Sequence, residues 1–126
     1  MNQIKISVRY AKAVFMLAKE QNVLDQVYND FKLIRETTHE APEFNSIISS
    51  PVVTSTDKLN LLKKVYEKSV HEITMRFMNL LVEKSREIYL VDIARNFETF
   101  YRKENNIKQV IVTTQHAISQ EVTENI

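Results

Sequence analysis

The chain has 126 residues, 44% of them hydrophobic, and 17 basic against 16 acidic side chains leave a net charge of +1. That is enough for one domain with a buried core, and the balance leaves no electrostatic footprint for nucleic acid or anionic lipid. The absence of cysteine excludes a disulfide framework and thiol or cysteine–zinc chemistry; the absence of glycine excludes P-loop and Rossmann phosphate cradles, whose backbone positions only glycine fills cheaply. The N-terminus has no signal-peptide pattern, and no window approaches the ~20 apolar residues of a membrane span. A soluble, cytoplasmic helical binding module is the expectation, held at a membrane at most through other proteins.

The first helix centres on Arg9–Glu20, where Lys12 is the only polar residue between Tyr10 and Ala18. On a helical wheel Lys12, Lys19, Met16, Arg9 and Glu20 share an arc of roughly 100°, while Ala13, Leu17, Tyr10, Val14, Ala18, Ala11, Phe15 and Val8 fill about the next 220°. A helix on one core needs an apolar stripe of little more than ~100°. This helix is either central in a bundle or has one flank reserved for a partner.

After a break at Gln21-Asn22, a one-sided helix runs to about Thr37. Val23, Leu24, Val27, Tyr28, Phe31 and Ile34 face inward, with Asp25, Gln26, Asp30, Lys32 and Arg35 on the outer face. Pro42 opens a short helix with Phe44, Ile47 and Ile48 inward, and Ser49–Thr54 reads as a loop around Pro51. Thr54 or Ser55 caps a fourth helix through Lys68, burying Leu59, Leu62, Val65 and Tyr66. Ser69 and Glu72 have capping-box spacing for a fifth helix, about His71–Ser85. Its apolar arc, from Leu80 through Ile73, Phe77, Leu81 and Met78 to Val82 and Met75, is again roughly 220° wide.

A sixth helix carries Val91, Ala94, Phe97, Phe100 and Tyr101 inward and closes at Asn105-Asn106. The β-branched run Gln109–Thr114 is the one strand candidate, and Ser119 can cap a last helical turn. The expected fold is all-α: a six-helix bundle over residues 1–106, then a short strand and helix turn over 107–126 that start an incomplete second domain.

Residues suited to chemistry are scattered. His39, His71 and His116 fall at a connector, a helix start and a loop, with no metal-ligand spacing, and read as surface histidines. Glu83 with Glu87, and Asp92 with Asn96, stand four apart on solvated helix faces without the burial that tunes a catalytic carboxylate. No catalytic, cofactor or metal residue is expected. Lys58, Lys63, Lys64 and Lys68 make a mildly basic run with no interleaved aromatic platform. A helical DNA-binding transcriptional regulator is the alternative function. Met16, Met75 and Met78 suit core filling or a plastic binding surface.

Several stretches carry a family resemblance in one order. They are Arg9-Tyr10-Ala11-Lys12-Ala13-Val14-Phe15, Pro42-Glu43-Phe44, Ser50-Pro51 with Lys58, and Leu80-Leu81-Val82-Glu83-Lys84-Ser85-Arg86 before Leu90, Ile93 and Phe97. Val110–Thr114 with Ile118-Ser119 completes the series. Together they span about residues 7–120 and resemble the delta subunit of F-type ATP synthase, the oligomycin-sensitivity-conferral protein of mitochondria. One departure is Ser85, where the family commonly has glycine.

The resemblance implies a non-catalytic peripheral-stalk subunit that links the F1 head to the membrane sector and supports proton-driven ATP synthesis at the cytoplasmic face of the bacterial inner membrane. It also implies a groove between the first and fifth helices for the N-terminal helix of an alpha subunit, and a further domain binding the b subunits. On this reading Val14, Ala11, Ala18, Leu81 and Val82 pack the two helices side by side, and Tyr10, Ala13 and Leu17 with Ile73, Phe77 and Leu80 line the groove. Arg76 and Lys84 border it and steer an acidic partner segment.

Overall fold

The structure, a computed structural model, describes the backbone of residues 3–124 and the side chains of residues 4–108. The elements in order are α1 (Gln3–Glu20), α2 (Leu24–Glu40), α3 (Pro42–Ser49), α4 (Ser55–Tyr66), α5 (Glu72–Glu83), a 3-10 turn (Glu87–Tyr89) and α6 (Leu90–Glu124). The all-α expectation holds. The strand does not: residues 109–114 lie within α6, which also runs through Asn105-Asn106 without stopping. A helix satisfies its backbone groups within the segment, whereas a lone strand leaves a row of them unpaired, so local hydrogen bonding overrides the β-branched composition.

Two helix ends are built alike. After α1, the Val23 N–H donates to the Ala18 carbonyl at 2.9 Å and the Asn22 N–H to Lys19 at 3.2 Å, with Asn22 at φ 61°. After α5, the Arg86 N–H donates to Leu81 at 2.7 Å and the Ser85 N–H to Val82 at 3.0 Å, with Ser85 at φ 57°. Both are Schellman motifs, which need a left-handed residue just beyond the helix. Asparagine takes that conformation at small cost; serine takes it where glycine would be easier. This turn also puts Glu83 and Glu87 on different elements rather than one helix face.

The core forms where α1 and α2 pack on α6, with α4 against α5 and α3 closing the far side of α2. It is largely aromatic. Phe31 stacks on Phe97 with centroids 4.7 Å apart, and Phe97 meets Phe15 edge-on at 5.8 Å. Val27, Ile34, Leu62, Tyr66, Met78, Leu81, Val82 and Ile93 fill the remainder. At the outer junction, the Tyr28 and Tyr101 rings stack at 3.8 Å and the Tyr101 hydroxyl donates to Asp25 at 2.7 Å. Lys19, 2.6 Å from Glu104, ties α1 to α6 and holds that carboxyl below its ordinary range.

Several polar side chains expected on the surface are buried. Asp30 is 7% exposed and Lys58 4% exposed. Lys58 pairs with Glu87 at 2.6 Å, fastening α4 to the 3-10 turn, so it is not part of a basic surface run. Glu98, also buried, pairs with Arg35 at 3.0 Å and joins α6 to α2. Conversely Ile47 and Val65, expected inside, lie at the surface.

Candidate functional site

The apolar surplus of α1 and α5 resolves into two faces per helix. On α1, Ser7, Ala11, Val14, Phe15 and Ala18 are buried, whereas Leu17 is 43% exposed and Ala13 is exposed beside half-buried Tyr10. On α5, Thr74, Phe77, Met78, Leu81 and Val82 are buried, whereas Leu80 is 39% exposed and Ile73 is half-buried. The helices are not simply central in the bundle.

The exposed flanks face a common groove of about 620 Å³. Tyr10, Ala13, Val14 and Leu17 form one wall, and Ile73, Arg76, Phe77 and Leu80 the other. Gln21, Val23, His71 and Glu72 complete the lining. The volume falls in the range of a ligand pocket, and a row of apolar anchors of this kind also suits one face of an amphipathic helix. Exposed Lys84 caps the C-terminus of α5 and is not among the lining residues. Arg76 lines the wall but bonds Glu72 one turn earlier, which partly offsets its charge.

The expected side-by-side packing of α1 and α5 is not what the structure has. Ala11, Val14, Ala18, Leu81 and Val82 are all buried, but α1 packs on α6 and α5 on α4. Rings fill the space between α1 and α5: Tyr10 meets Phe77 edge-on at 6.3 Å, and Phe77 meets Phe31 of α2 at 5.8 Å. Close helix approach needs small side chains at the crossing, and two aromatic residues hold these backbones apart.

The start of α5 is built with residues whose roles the sequence concealed. His71 is half-buried, and its Nδ1 accepts from the Ile73 N–H at 3.1 Å, so the cap is His71 rather than a Ser69–Glu72 capping box. The Asp30 Oδ2 of α2 accepts the His71 N–H at 2.8 Å and the Thr74 hydroxyl at 2.7 Å. His39 is exposed, and His116 lies outside the described side chains. Among the described residues, no cluster of three or more His, Cys, Asp or Glu side chains is arranged to hold a metal ion.

A second depression of about 550 Å³, between the end of α2, α3 and the start of α6, has polar walls that include Arg35, Thr38, His39 and Arg95. Its arginines are paired, Arg35 with Glu98 and Arg95 with Asp92. No helix among the described residues is long and apolar enough to cross a membrane.

The described residues form an all-α module with an apolar groove between two of its helices. The sequence matches the family described as "ATP synthase delta (OSCP) subunit" over residues 6–126. It is 36% identical over 121 residues to the ATP synthase subunit delta of Parabacteroides distasonis, covering 96% of this chain and 67% of that one. Identity to the subunit delta of Carboxydothermus hydrogenoformans is 30% over 126 residues, covering 100% of this chain and 71% of the relative. A chain of the cryo-EM structure of the Toxoplasma gondii mitochondrial ATP synthase hexamer superposes with a TM-score of 0.68 at 32% identity, covering 72% of this chain and 51% of that chain.

This chain belongs to the ATP synthase delta (OSCP) subunit family. It spans about two-thirds of the length of these curated relatives and about half of the Toxoplasma chain. Family membership replaces the DNA-binding alternative.

Proposed function

We propose that this chain is a non-catalytic stator subunit of an F-type ATP synthase, and that its α1–α5 groove clamps the N-terminal helix of an alpha subunit of the F1 head. The observation that carries the reading is the pair of half-exposed leucines, Leu17 and Leu80, on opposite walls of an open groove whose rings, Tyr10 and Phe77, meet edge-on. Large apolar side chains left half in water lower the free energy when a partner covers them. Ala13 leaves room for a partner backbone, and the Tyr10 hydroxyl offers a hydrogen bond that sets register.

A stator must resist torque without slipping, and a rigid bundle gripping a helix does so without cofactor or covalent chemistry. Residues 1–106 are proposed as the N-terminal domain, and residues 107–126 as the start of a second domain whose remainder contacts the b subunits. Location follows from assembly: peripheral, at the cytoplasmic face of a bacterial inner membrane, in a proton-driven enzyme.

Calorimetric titration with the alpha subunit's N-terminal peptide tests the clamp. Leu80→Asp places a charge on one wall and is expected to cost about 2–4 kcal/mol of binding. Undiminished affinity in that variant would show that the peptide binds elsewhere.

A further inference from the structure

The α5 wall of the groove is held from an unexpected quarter. Because α5 makes few close backbone approaches to α1, its position relative to the opposite wall depends on α4, α2 and the 3-10 turn. The contact with α2 includes one buried carboxylate. The first N–H groups of a helix have no partners within it. Here one Asp30 oxygen accepts both the His71 N–H at 2.8 Å and the Thr74 hydroxyl at 2.7 Å, joining residues 41 and 44 positions apart in sequence. The negative charge also lies at the positive end of the α5 dipole.

We propose that Asp30, which does not line the groove, is the positioning residue that fixes the height and rotation of α5, and so sets the spacing of Ile73 and Leu80 across from α1. The inference rests on the groove reading above. The Thr74 side chain is fully buried and Ile73 precedes it directly, so the polar staple and the first wall anchor are adjacent on the helix. Freed of Asp30, α5 keeps its apolar packing and its His71 cap but loses the bonds that define its register on α2. A small rotation about its axis then carries the exposed anchors away from the partner.

The test uses the full chain, with Asp30→Ala, Asp30→Asn and, as a control for general loss of packing, Ile48→Val in the core beneath α3. Affinity for the alpha-subunit N-terminal peptide is measured by calorimetry at a temperature where each variant is folded, beside Leu80→Asp. Amide chemical shifts of Ile73 and Thr74 are recorded without peptide. Asp30→Ala is expected to weaken binding about tenfold or more and to move both amides, since bonds to a charged group are among the stronger ones. Asp30→Asn keeps one oxygen able to accept both bonds and is expected to restore most of the affinity and the shifts. Ile48→Val is expected to stay within about twofold of the parent, since it lies away from both walls.

If Leu80→Asp abolishes binding while Asp30→Ala does not, the groove stands and Asp30 has no positioning role. An equal loss in Ile48→Val would reduce the effect to general stability and also overturn the proposal. If neither Leu80→Asp nor Asp30→Ala changes affinity, the groove reading fails, and this inference fails with it.

Discussion

Ser85 occupies a backbone position made for a smaller residue. At φ 57° it completes the Schellman motif that ends α5, where its Cβ crowds the following carbonyl. Ser85→Gly is expected to raise stability by about 0.5–1 kcal/mol and the melting temperature by roughly 3–5 °C, readable by thermal unfolding. An unchanged or lower melting temperature would mean that the serine side chain compensates for the strain. The turn therefore has the left-handed shape that glycine would adopt at lower cost.

The buried charges give a second residue-scale prediction. Lys58 and Glu87 pair at 2.6 Å with both side chains nearly inaccessible. Removing one partner strands the other, so Lys58→Ala is expected to cost about 3–5 kcal/mol in denaturant unfolding, while Lys58→Met combined with Glu87→Leu recovers most of it. A double variant no more stable than the single would contradict the assignment. Neither this pair nor the Asp30 staple was legible in the sequence. Their partners lie 29 and 41 residues away, and a polar residue on an amphipathic helix reads as solvated until its neighbour is known.

At the scale of elements, the wide apolar arcs of α1 and α5 were legible because helical period is a local property. A wheel gives the faces but not what stands against them. The side-by-side packing expected of the two helices is not in the arcs themselves, and the structure has them meet instead through the rings of Tyr10 and Phe77, with Phe31 behind. The end of α6 is helical despite its composition for a related reason: β-branched residues favour a strand only where another strand supplies the hydrogen bonds.

The α2–α6 junction is pH-sensitive in a defined direction. The hydrogen bond to Asp25 raises the Tyr101 hydroxyl above its ordinary 10.0. At the end of α4, burial raises the Tyr66 hydroxyl as well. Folding thus favours the protonated phenols, and the folded state holds these protons to a higher pH than the unfolded chain. Their contribution is complete below pH 10 and declines as the pH rises beyond it. Tyr101→Phe preserves the ring stack and removes the hydroxyl. Its urea midpoint should fall below the parent's at pH 8 and approach it at pH 10.5. The same gap at both would exclude this hydrogen bond as its source.

For the whole molecule, an aromatic series runs from the groove to the core: Tyr10, Phe77, Phe31, Phe97 and Phe15, each ring 4.7–6.3 Å from the next. Close-packed rings transmit load with little deformation, which suits a part proposed to hold the catalytic head still against a turning rotor. On that account the groove is the point where force enters, and α6, shared by α1 and α2, receives it. The measurement that bears most directly on this is an NMR titration of the full chain with the alpha subunit's N-terminal peptide. The groove account requires saturable shifts concentrated at Tyr10, Ala13, Leu17, Ile73, Phe77 and Leu80, with the Arg35–Arg95 depression unmoved. Shifts centred on that depression, or none on α1 and α5, would contradict it.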